Sequence, residues 1–295
     1  MNQQIIKEKS IKEHLYTIAD TTNRPLEEVL TYHLLESVLR RVSDSTYVSE
    51  FVLRGGMLTR TWVPLGRRIA VDVDFLSLYA FNIEVTAEKF RHILMTTNSS
   101  TNGENDGVTF DIDSLEVKGI WLETEFPGVR INIDAVLEDY QQNIQIDIGF
   151  ADPLFPPAQW IEYPTLLEIE TVKLQAVTPE TMFAWKLHGL VEQGIKRWRP
   201  KDLYDLMLLT TEVKLNESIL TKAIYTAFSS RNTSFEEILF LLSTPQWWDR
   251  SKNRGKWKWY TRRMNQQIML EDFLDIVNAI ARKWEGMIIL LKSKN

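Results

Sequence analysis

The chain has no cysteine among its 295 residues, and this absence excludes several kinds of chemistry. Without a thiol there is no disulfide framework, no thiolate nucleophile and no cysteine-based zinc or iron–sulfur site. The four histidines are scattered along the chain, and no two of them have the spacing of a zinc site. The sequence also lacks a G-x-x-x-x-G-K-[ST] phosphate loop and a G-x-S-x-G nucleophile motif. These absences remove the most common ATPases and hydrolases from consideration.

Long hydrophobic runs are absent as well. An apolar stretch such as residues 287–291 is far shorter than the roughly 20 residues that a membrane-spanning helix requires. Residues 1–20 alternate charged and apolar side chains and have no apolar core behind a basic start, as a secretory signal would. We therefore expect a cytoplasmic protein with no membrane partner.

The hydrophobic pattern predicts an α+β protein. Residues 26–39 have helical spacing, whereas residues 51–150 contain short apolar or alternating segments, typical of strands, at 69–78, 108–115, 129–136 and 144–150. Residues 98–107 have the composition of a loop, and the proline-rich residues 152–164 indicate a boundary. From residue 178 onward the period is near 3.6. We predict a mixed sheet domain with N-terminal helices over residues 1–175 and a mainly helical domain over residues 176–295.

Two aspartates in the segment Ala70-Val71-Asp72-Val73-Asp74-Phe75 are candidate metal ligands. The period of two in a strand places Asp72 and Asp74 on one face, where like charges repel unless a cation neutralises them. Paired carboxylates completed by substrate phosphates are a common way to hold Mg²⁺. Asp111 and Asp113 have the same spacing, so the pattern alone does not suffice. Only the first pair follows an adjacent Gly55-Gly56, whose amides favour a phosphate if a helix begins there, although a plain turn is the simpler interpretation.

The segment Ile144–Gly149 offers a third carboxylate. Three isoleucines occupy one face of the predicted strand, and Asp147 is the one acidic residue on the other. Asp147 therefore could complete a metal site with Asp72 and Asp74, or it could be an ordinary surface residue. Asp134, on the preceding predicted strand, is a rival for the same role.

A lysine on a predicted helix requires an anionic partner. The helix begins after the N-cap Thr178, and its register places Lys186 between Met182 and Leu190 on an apolar arc. Burial of an unpaired ammonium is costly, so either a substrate phosphate or an aspartate should pair with Lys186, unless its head reaches solvent. Asp202 and Asp205 lie on one side of the next predicted helix and are candidate partners.

Residues 246–263 form the most basic part of the sequence, interleaved with aromatic side chains. Basic groups hold phosphates and aromatic rings stack on bases, so this segment is a candidate nucleic-acid-binding site, although its tryptophans are also typical packing residues. The segment contains a single aspartate and seven basic residues: Arg250, Lys252, Arg254, Lys256, Lys258, Arg262 and Arg263.

Several segments, taken in order, resemble the AbiEii/AbiGii-type nucleotidyltransferase toxins of toxin–antitoxin and phage abortive-infection systems. They are residues 51–56, 68–75, 146–153, 163–167, 180–186 and 199–206, so the resemblance extends from about residue 30 to 285. The chain departs from the family pattern at three positions. Arg54 stands where the family usually has lysine, Ala70 where it has serine or threonine, and Trp185 where it often has glutamate.

The resemblance implies a DNA polymerase β-like nucleotidyltransferase fold with Mg²⁺ or Mn²⁺ as cofactor and an NTP as substrate. It implies that Gly55 and Gly56, with Arg54, Arg68 and Lys186, bind the nucleotide. Asp72 and Asp74 would hold the metal, Asp147 would assist in activating the attacking hydroxyl, and Lys186 and Asp202 are the later motif positions. RNA, such as the 3′ end of a tRNA, is the expected acceptor, and a cognate antitoxin is an expected partner. A protein or small-molecule acceptor, or a non-catalytic binding protein of the same fold, are the alternatives.

Overall fold

A computed structural model of the chain describes residues 10–64, 66–96, 105–167, 171–243, 251–263 and 273–293. Of residues 194–197, 251, 263 and 273 it describes only the backbone. The chain forms two compact units. The first comprises Met1–Thr61, Ile69–Asp152 and Trp160–Gln175, and the second comprises Trp62–Arg68, Pro153–Gln159 and Ala176–Asn295. The predicted domain division at residue 175 stays a prediction, and it differs from these units in the two short segments that join the second unit.

The first unit contains a seven-stranded mixed sheet, which confirms the α+β class. The strands are β1 (Phe51–Arg54), β2 (Val73–Ser77), β3 (Val108–Ile120), β4 (Gly128–Leu137), β5 (Tyr140–Gly149), β6 (Gln159–Tyr163) and β7 (Val172–Ala176). Their order in the sheet is β3-β4-β5-β2-β1-β7-β6. Strand β2 pairs antiparallel with β1 and parallel with β5. The centre of the sheet therefore joins chain segments that are far apart in the sequence.

Helices cover one face of the sheet, and apolar residues in alternation line that face. The helices of this unit are α1 (Ile11–Thr21), α2 (Leu26–Asp44), the single turn α3 (Gly55–Leu58) and α4 (Ile83–Met95). Helix α2 contacts β4 and β5, and α4 contacts β3 and β4. Phe75 and Ile146 are fully buried on this side, and Phe75 packs against Phe90 of α4. Because side chains alternate along a strand, the residues between these apolar positions point to the opposite face.

The second unit is mainly helical. Its helices are α5 (Pro179–Arg197), α6 (Pro200–Thr211), α7 (Glu217–Ser229), α8 (Phe235–Ser243), α9 (Ser251–Arg263) and α10 (Phe273–Lys292). Thr178 accepts a hydrogen bond from the backbone N–H of Thr181, as its predicted N-cap position requires. Among the described residues, no helix combines the length and the apolar character needed to cross a membrane.

The predicted loop at residues 98–107 contains a buried carboxylate. Residues 97–104 lie outside the described part of the chain, but Asp106 is fully buried and accepts hydrogen bonds from Ser37 and Arg41 of α2. Nearby on α2, Glu36 is fully buried and accepts the backbone N–H of Leu166. These buried carboxyl groups attach the helix to segments that are distant in the sequence.

Candidate active site

Two carboxylates from distant parts of the chain lie side by side at the centre of the sheet. In the parallel pairing of β2 with β5, Asp74 is the register partner of Asp147. Neighbouring strands are about 4.8 Å apart, so the two side chains are adjacent on the face opposite the helices. The side chain of Asp147 is 6% exposed, and Asp74 is half-buried. Asp147 is thus placed beside the predicted metal pair.

Asp72 lies one residue before the strand rather than within it. Strand β2 begins at Val73, although the sequence pattern predicts a strand over residues 69–78. The pairing of β1 with β2 stops at Arg54 and Asp74, because the chain turns into α3 at Gly55. Asp72 therefore has no partner on β1. It is half-buried at the entrance of the strand, two residues from Asp74.

Asp134 and the second aspartate pair lie elsewhere on the sheet. Asp134 is four residues from Arg130, the β4 partner of Asp147, so it lies roughly 13 Å further along the strand. Its carboxylate accepts hydrogen bonds from Gln141 and Asn143. Asp111 is the register partner of Asp134 on β3, and both Asp111 and Asp113 are exposed. The structure therefore brings Asp147, and not Asp134, next to Asp74.

Positive residues flank the two carboxylates in a single row across four strand pairings. The register partner of Asp74 on β1 is Arg54, and that of Asp147 on β4 is Arg130. Beyond Arg130, the next partner is Lys118 on β3. Paired residues of neighbouring strands share a face of the sheet. The row therefore presents two negative charges between positive ones.

Arg130 holds Asp147 with a bidentate salt bridge that the sequence analysis missed. Nε of Arg130 donates to Oδ1 of Asp147 at 2.8 Å, and Nη2 donates to Oδ2 at 2.7 Å. This hydrogen bonding raises the pKa of Arg130 above its usual value, and the nearby carboxylates of Asp72 and Asp74 raise it further. A signal was present in the sequence. A two-residue turn joins Leu137 to Tyr140, and counting back along this hairpin pairs residue 130 with residue 147.

Gly55 is in close contact with the carboxylate of Asp74. A Cβ atom at Gly55 would lie 2.0 Å from Oδ2 of Asp74, and the φ angle of Gly55 is +73°, which L residues rarely adopt. The one-turn helix α3 begins at this residue, directly after β1. The predicted role of Gly55 and Gly56 in nucleotide binding stays a prediction, but a plain turn would not require this contact.

Arg54 is paired with Asp152, which follows the C-terminal end of β5. Its Nη1 donates to Oδ2 of Asp152 at 3.0 Å, and its Nη2 lies 2.6 Å from where a Cβ of Gly149 would be. Gly149 thus leaves the space that the guanidinium occupies. With its side chain 15% exposed, Arg54 places a fixed positive charge close to Asp74.

The remaining predicted site residues form a separate network within the second unit. Nζ of Lys186 lies 2.8 Å from Oδ1 of Asp202 and 2.9 Å from Oδ2 of Asp205. Arg68 donates to Asp205, and Arg199 donates to Asp202, both at 2.6 Å. The expectation that Lys186 requires an anionic partner is confirmed. In this structure aspartates, both fully buried, supply that partner.

The charges of this network stabilise one another against the cost of burial. Burial by itself would lower the pKa of Lys186, but Asp202 and Asp205 outweigh it and raise that pKa. Burial would likewise raise the pKa of Asp205, but Arg68 and Lys186 lower it to about 2. Each group is therefore held in its charged form at neutral pH.

Helix α9 carries the predicted nucleic-acid-binding residues in two different environments. One side packs inward, since Trp257 is buried and Asn253 accepts a hydrogen bond from Nε1 of Trp198. Trp259 is 60% exposed on the other side. The basic residues that are exposed with it are Lys252, Arg254, Lys258 and Arg262.

Two of the predicted residues in this segment lie outside the described side chains, and one turns inward. Arg250 lies outside the described residues, and only the backbone of Arg263 is described. Lys256 is half-buried and donates to the backbone oxygen of Trp198. Lys256 therefore makes a packing contact within the second unit.

Comparison with known families decides what this arrangement belongs to. The sequence model of the nucleotidyl transferase AbiEii toxin family, described as a type IV toxin–antitoxin system, matches residues 37–280. The chain belongs to the AbiEii family. The match includes every predicted site residue, from Arg54 in β1 to Arg263 at the end of α9. A comparison with curated proteins found no significant match.

Solved structures support the fold of this AbiEii protein. The protein JHP933 from Helicobacter pylori is 14% identical, with a TM-score of 0.52, over 91% of this chain and 93% of that one. A second Helicobacter pylori protein, described as a candidate nucleotidyltransferase, is 15% identical, with a TM-score of 0.52, over 91% and 96% of the two chains. At this identity the likeness shows that the nucleotidyltransferase-like fold is shared.

The carboxylates of this AbiEii chain suit a metal that phosphates help to hold. Among the described residues, no three acidic or histidine side chains are arranged as a complete metal site. Mg²⁺ is usually bound by one or two carboxylates together with substrate phosphates, rather than by a protein cage. Asp72 and Asp74 would supply two such ligands, and both oxygens of Asp147 accept hydrogen bonds from Arg130. The residues therefore fit a cation that depends on the nucleotide.

Proposed function

We propose that this AbiEii protein transfers a nucleotide from an NTP to a hydroxyl group on RNA, with the 3′ end of a tRNA as the expected acceptor. The observation that carries the proposal is the register of β2 and β5, which places Asp147 beside Asp74. Asp72 precedes them by two residues, and Gly55 contacts Asp74 from α3. Membership of a nucleotidyltransferase toxin family supports the same chemistry.

Asp72 and Asp74 would hold the divalent cation, Mg²⁺ or Mn²⁺. When bound, such a cation neutralises the charge of the triphosphate and aligns it for in-line displacement. In the reaction, the acceptor hydroxyl oxygen forms a bond to the α-phosphorus, and the bond between the α-phosphorus and its bridging oxygen breaks. Pyrophosphate leaves with the electron pair, and the hydroxyl proton passes to a base. We assign that proton to the carboxylate of Asp147.

The positive row beside the carboxylates suits the negative charge of the substrate. Arg54 lies one strand from Asp74 and retains a partner, Asp152, that holds its guanidinium in place. A fixed guanidinium binds phosphate oxygens in bidentate fashion, so we assign Arg54 to the triphosphate together with the amides of Gly55 and Gly56. Lys186 and Arg68 stay predicted nucleotide ligands. In this structure each of them is paired with a buried aspartate.

RNA is favoured as the acceptor by helix α9. Its exposed side combines positive charge with the exposed ring of Trp259. Positive groups hold the phosphate backbone and aromatic rings stack on unpaired bases, as single-stranded RNA ends require. At the level of the family, a cognate antitoxin is the expected partner of the toxin.

The direct test is incubation of the full chain with total RNA, Mg²⁺ and each radiolabelled NTP in turn. We expect label in RNA for at least one nucleotide, removed by ribonuclease and absent with Asp74→Asn. Label that resists ribonuclease and migrates with protein would mean that the acceptor is a protein rather than RNA. The absence of label with all four nucleotides, in Mg²⁺ and in Mn²⁺, would contradict the proposed activity.

Helix α9 is tested separately by charge reversal. The double change Lys258→Glu and Arg262→Glu should weaken RNA binding and reduce its dependence on salt, because contacts to phosphate release counterions. Binding of NTP alone should be unchanged. Unaltered RNA affinity at low salt would show that RNA, if it is the acceptor, binds elsewhere.

A further inference from the structure

Arg130 is a charged residue of the site to which the proposed chemistry assigns no task. It lies on β4, next to the strand that carries Asp147, and its guanidinium takes both oxygens of that carboxylate. Gln145 adds a third hydrogen bond to Oδ2 of Asp147. Asp147 thus accepts three hydrogen bonds, two from Arg130 and one from Gln145.

A structural role alone does not account for this pair. The hairpin of β4 and β5 is already held by its backbone register and by the fully buried Ile131 and Ile146 on the other face. The side chain of Arg130 is 30% exposed, whereas that of Asp147 is 6% exposed. The guanidinium of Arg130 therefore lies on the more exposed side of this pair, on the face of the sheet that also carries Asp74.

A guanidinium and a divalent cation are alternative partners for the same carboxylate. Each neutralises the negative charge, and the two positive groups repel each other at short distance. Arg130 is the register partner of Asp147, and Asp147 is that of Asp74, so the guanidinium and the predicted metal ligand Asp74 belong to one row across three neighbouring strands. A guanidinium also binds phosphate as readily as carboxylate, in the same bidentate geometry.

We propose that Arg130 competes with the divalent cation for Asp147 and so determines how tightly the protein binds metal before its substrates arrive. This inference rests on the proposed function, and it concerns Arg130 rather than the transfer reaction. With Arg130 in place, Asp72 and Asp74 remain as metal ligands. When substrate phosphates come near, Arg130 exchanges the carboxylate for a phosphate, and Asp147 becomes available. Arg130 is thus a positioning residue that makes metal binding depend on substrate.

Titration of the full-length protein with Mn²⁺, followed by electron paramagnetic resonance, tests the competition without reference to activity. Arg130→Gln should bind Mn²⁺ at least about tenfold more tightly than the unchanged protein, since a charged hydrogen-bonded competitor is removed. Arg130→Lys keeps the positive charge but loses the bidentate geometry of the guanidinium. The Mn²⁺ affinity of this variant should therefore lie between those of the unchanged protein and Arg130→Gln. The matched control is Lys118→Gln, which removes one positive charge at the next position of the same row and should change affinity by less than about twofold.

The outcomes separate this inference from the proposed function. Equal Mn²⁺ affinity in the unchanged protein and in both Arg130 variants would overturn the competition, whereas loss of Mn²⁺ binding with Asp74→Asn would still support the metal site. An equal gain in Lys118→Gln would also overturn it, because the effect would then be one of overall charge. If no variant bound Mn²⁺, with or without a non-hydrolysable NTP analogue, the metal site and the competition would both be wrong.

Discussion

Gly55 and Asp74 are in such close contact that a side chain at position 55 would displace the carboxylate of Asp74. A Cβ on Gly55 would lie 2.0 Å from Oδ2 of Asp74 and 2.8 Å from its Cβ. The contact sets where the carboxylate points, because the backbone of α3 occupies the space on that side. It also explains the first of the two adjacent glycines through a side chain nineteen positions later, rather than through a turn alone.

We expect Gly55→Ala to impair both the fold and the activity. The added Cβ must displace the carboxylate of Asp74, and the residue must keep a positive φ, so the free energy of unfolding should fall by about 1–3 kcal/mol. A displacement of about 1 Å at a reacting centre lowers the rate by roughly 100-fold, which sets the expected loss of nucleotide transfer. Chemical denaturation and a transfer assay measure the two effects.

The control for that change is Gly286→Ala in helix α10. Among the described residues, nothing lies within 4 Å of a Cβ added there. Alanine is preferred in helices, so stability should rise by up to about 1 kcal/mol, with transfer unchanged. Full activity of Gly55→Ala would contradict the assigned position of Asp74.

The two D-x-D pairs of the chain provide an internal comparison. Asp72→Asn or Asp74→Asn should lower transfer by at least about 100-fold, while the melting temperature stays the same or rises because like-charge repulsion is relieved. The double change Asp111→Asn and Asp113→Asn should leave transfer within about twofold, since both residues are exposed on β3. If the second pair mattered as much as the first, the centre would have been assigned to the wrong strand.

Lys186→Met should destabilise the second unit. The change keeps the volume of the side chain but leaves Asp202 and Asp205 short of one cation, and breaking a buried pair costs about 3–5 kcal/mol. The lower end of that range applies, because Arg68 and Arg199 remain. Thermal and chemical denaturation measure the loss.

A surface lysine serves as the control for Lys186. Lys173 pairs with Glu162 at 3.5 Å, but its side chain is 64% exposed, so Lys173→Met should change stability by less than about 1 kcal/mol. An unchanged melting temperature in Lys186→Met, together with a loss of the stabilisation that NTP confers, would favour a phosphate ligand instead.

Glu36 on α2 should make stability depend on pH. Burial raises its pKa from 4.5 to about 7, although Arg40 and the backbone N–H of Leu166 act in the opposite direction. The folded state therefore retains a proton that the unfolded state releases, and stability is lost as the pH rises from about 4.5 to about 7. The difference of about 2.5 pKa units corresponds to roughly 3 kcal/mol.

The variant Glu36→Gln isolates this effect. It has no ionisable group at this position, so the unfolding free energy of the variant minus that of the unchanged protein should rise by about 3 kcal/mol between pH 4.5 and pH 8. The matched control is Glu27→Gln, at an exposed position of the same helix. A flat difference for Glu36→Gln would mean that the buried carboxyl group is ionised throughout this range.

The sequence predicts which segments form strands better than it predicts which strands lie side by side in the sheet. Alternation identifies the segments of β4 and β5, and the three isoleucines of β5 indicate which face is buried. Nothing in a local pattern pairs Asp74 with Asp147, because a parallel contact over 73 residues depends on the order of the strands. From the sequence, the proximity of Asp147 to Asp72 and Asp74 is a hypothesis based on chemistry. The strand register is needed to establish that Asp147 lies beside Asp74.

The same limit explains what was missed. Arg130 sits on a plainly alternating strand, yet only the register of the hairpin shows that its partner is Asp147. Asp106 falls in a segment whose composition is that of a loop, and its burial depends on Ser37 and Arg41 on a helix some seventy residues earlier. Composition describes the average of a segment, whereas a buried carboxylate is determined by individual distant partners.

The short turn between β4 and β5 bears on the order in which the chain acquires its structure. A hairpin of neighbouring strands closes within about 1–10 µs, whereas the ribosome adds only about 5–20 residues per second. We therefore expect Asp147 to meet Arg130 soon after both have left the ribosome, before β5 docks against β2. In that order the carboxylate would reach Asp74 already paired with Arg130, and the nascent protein would not have to bring two unpaired negative charges together to complete its sheet.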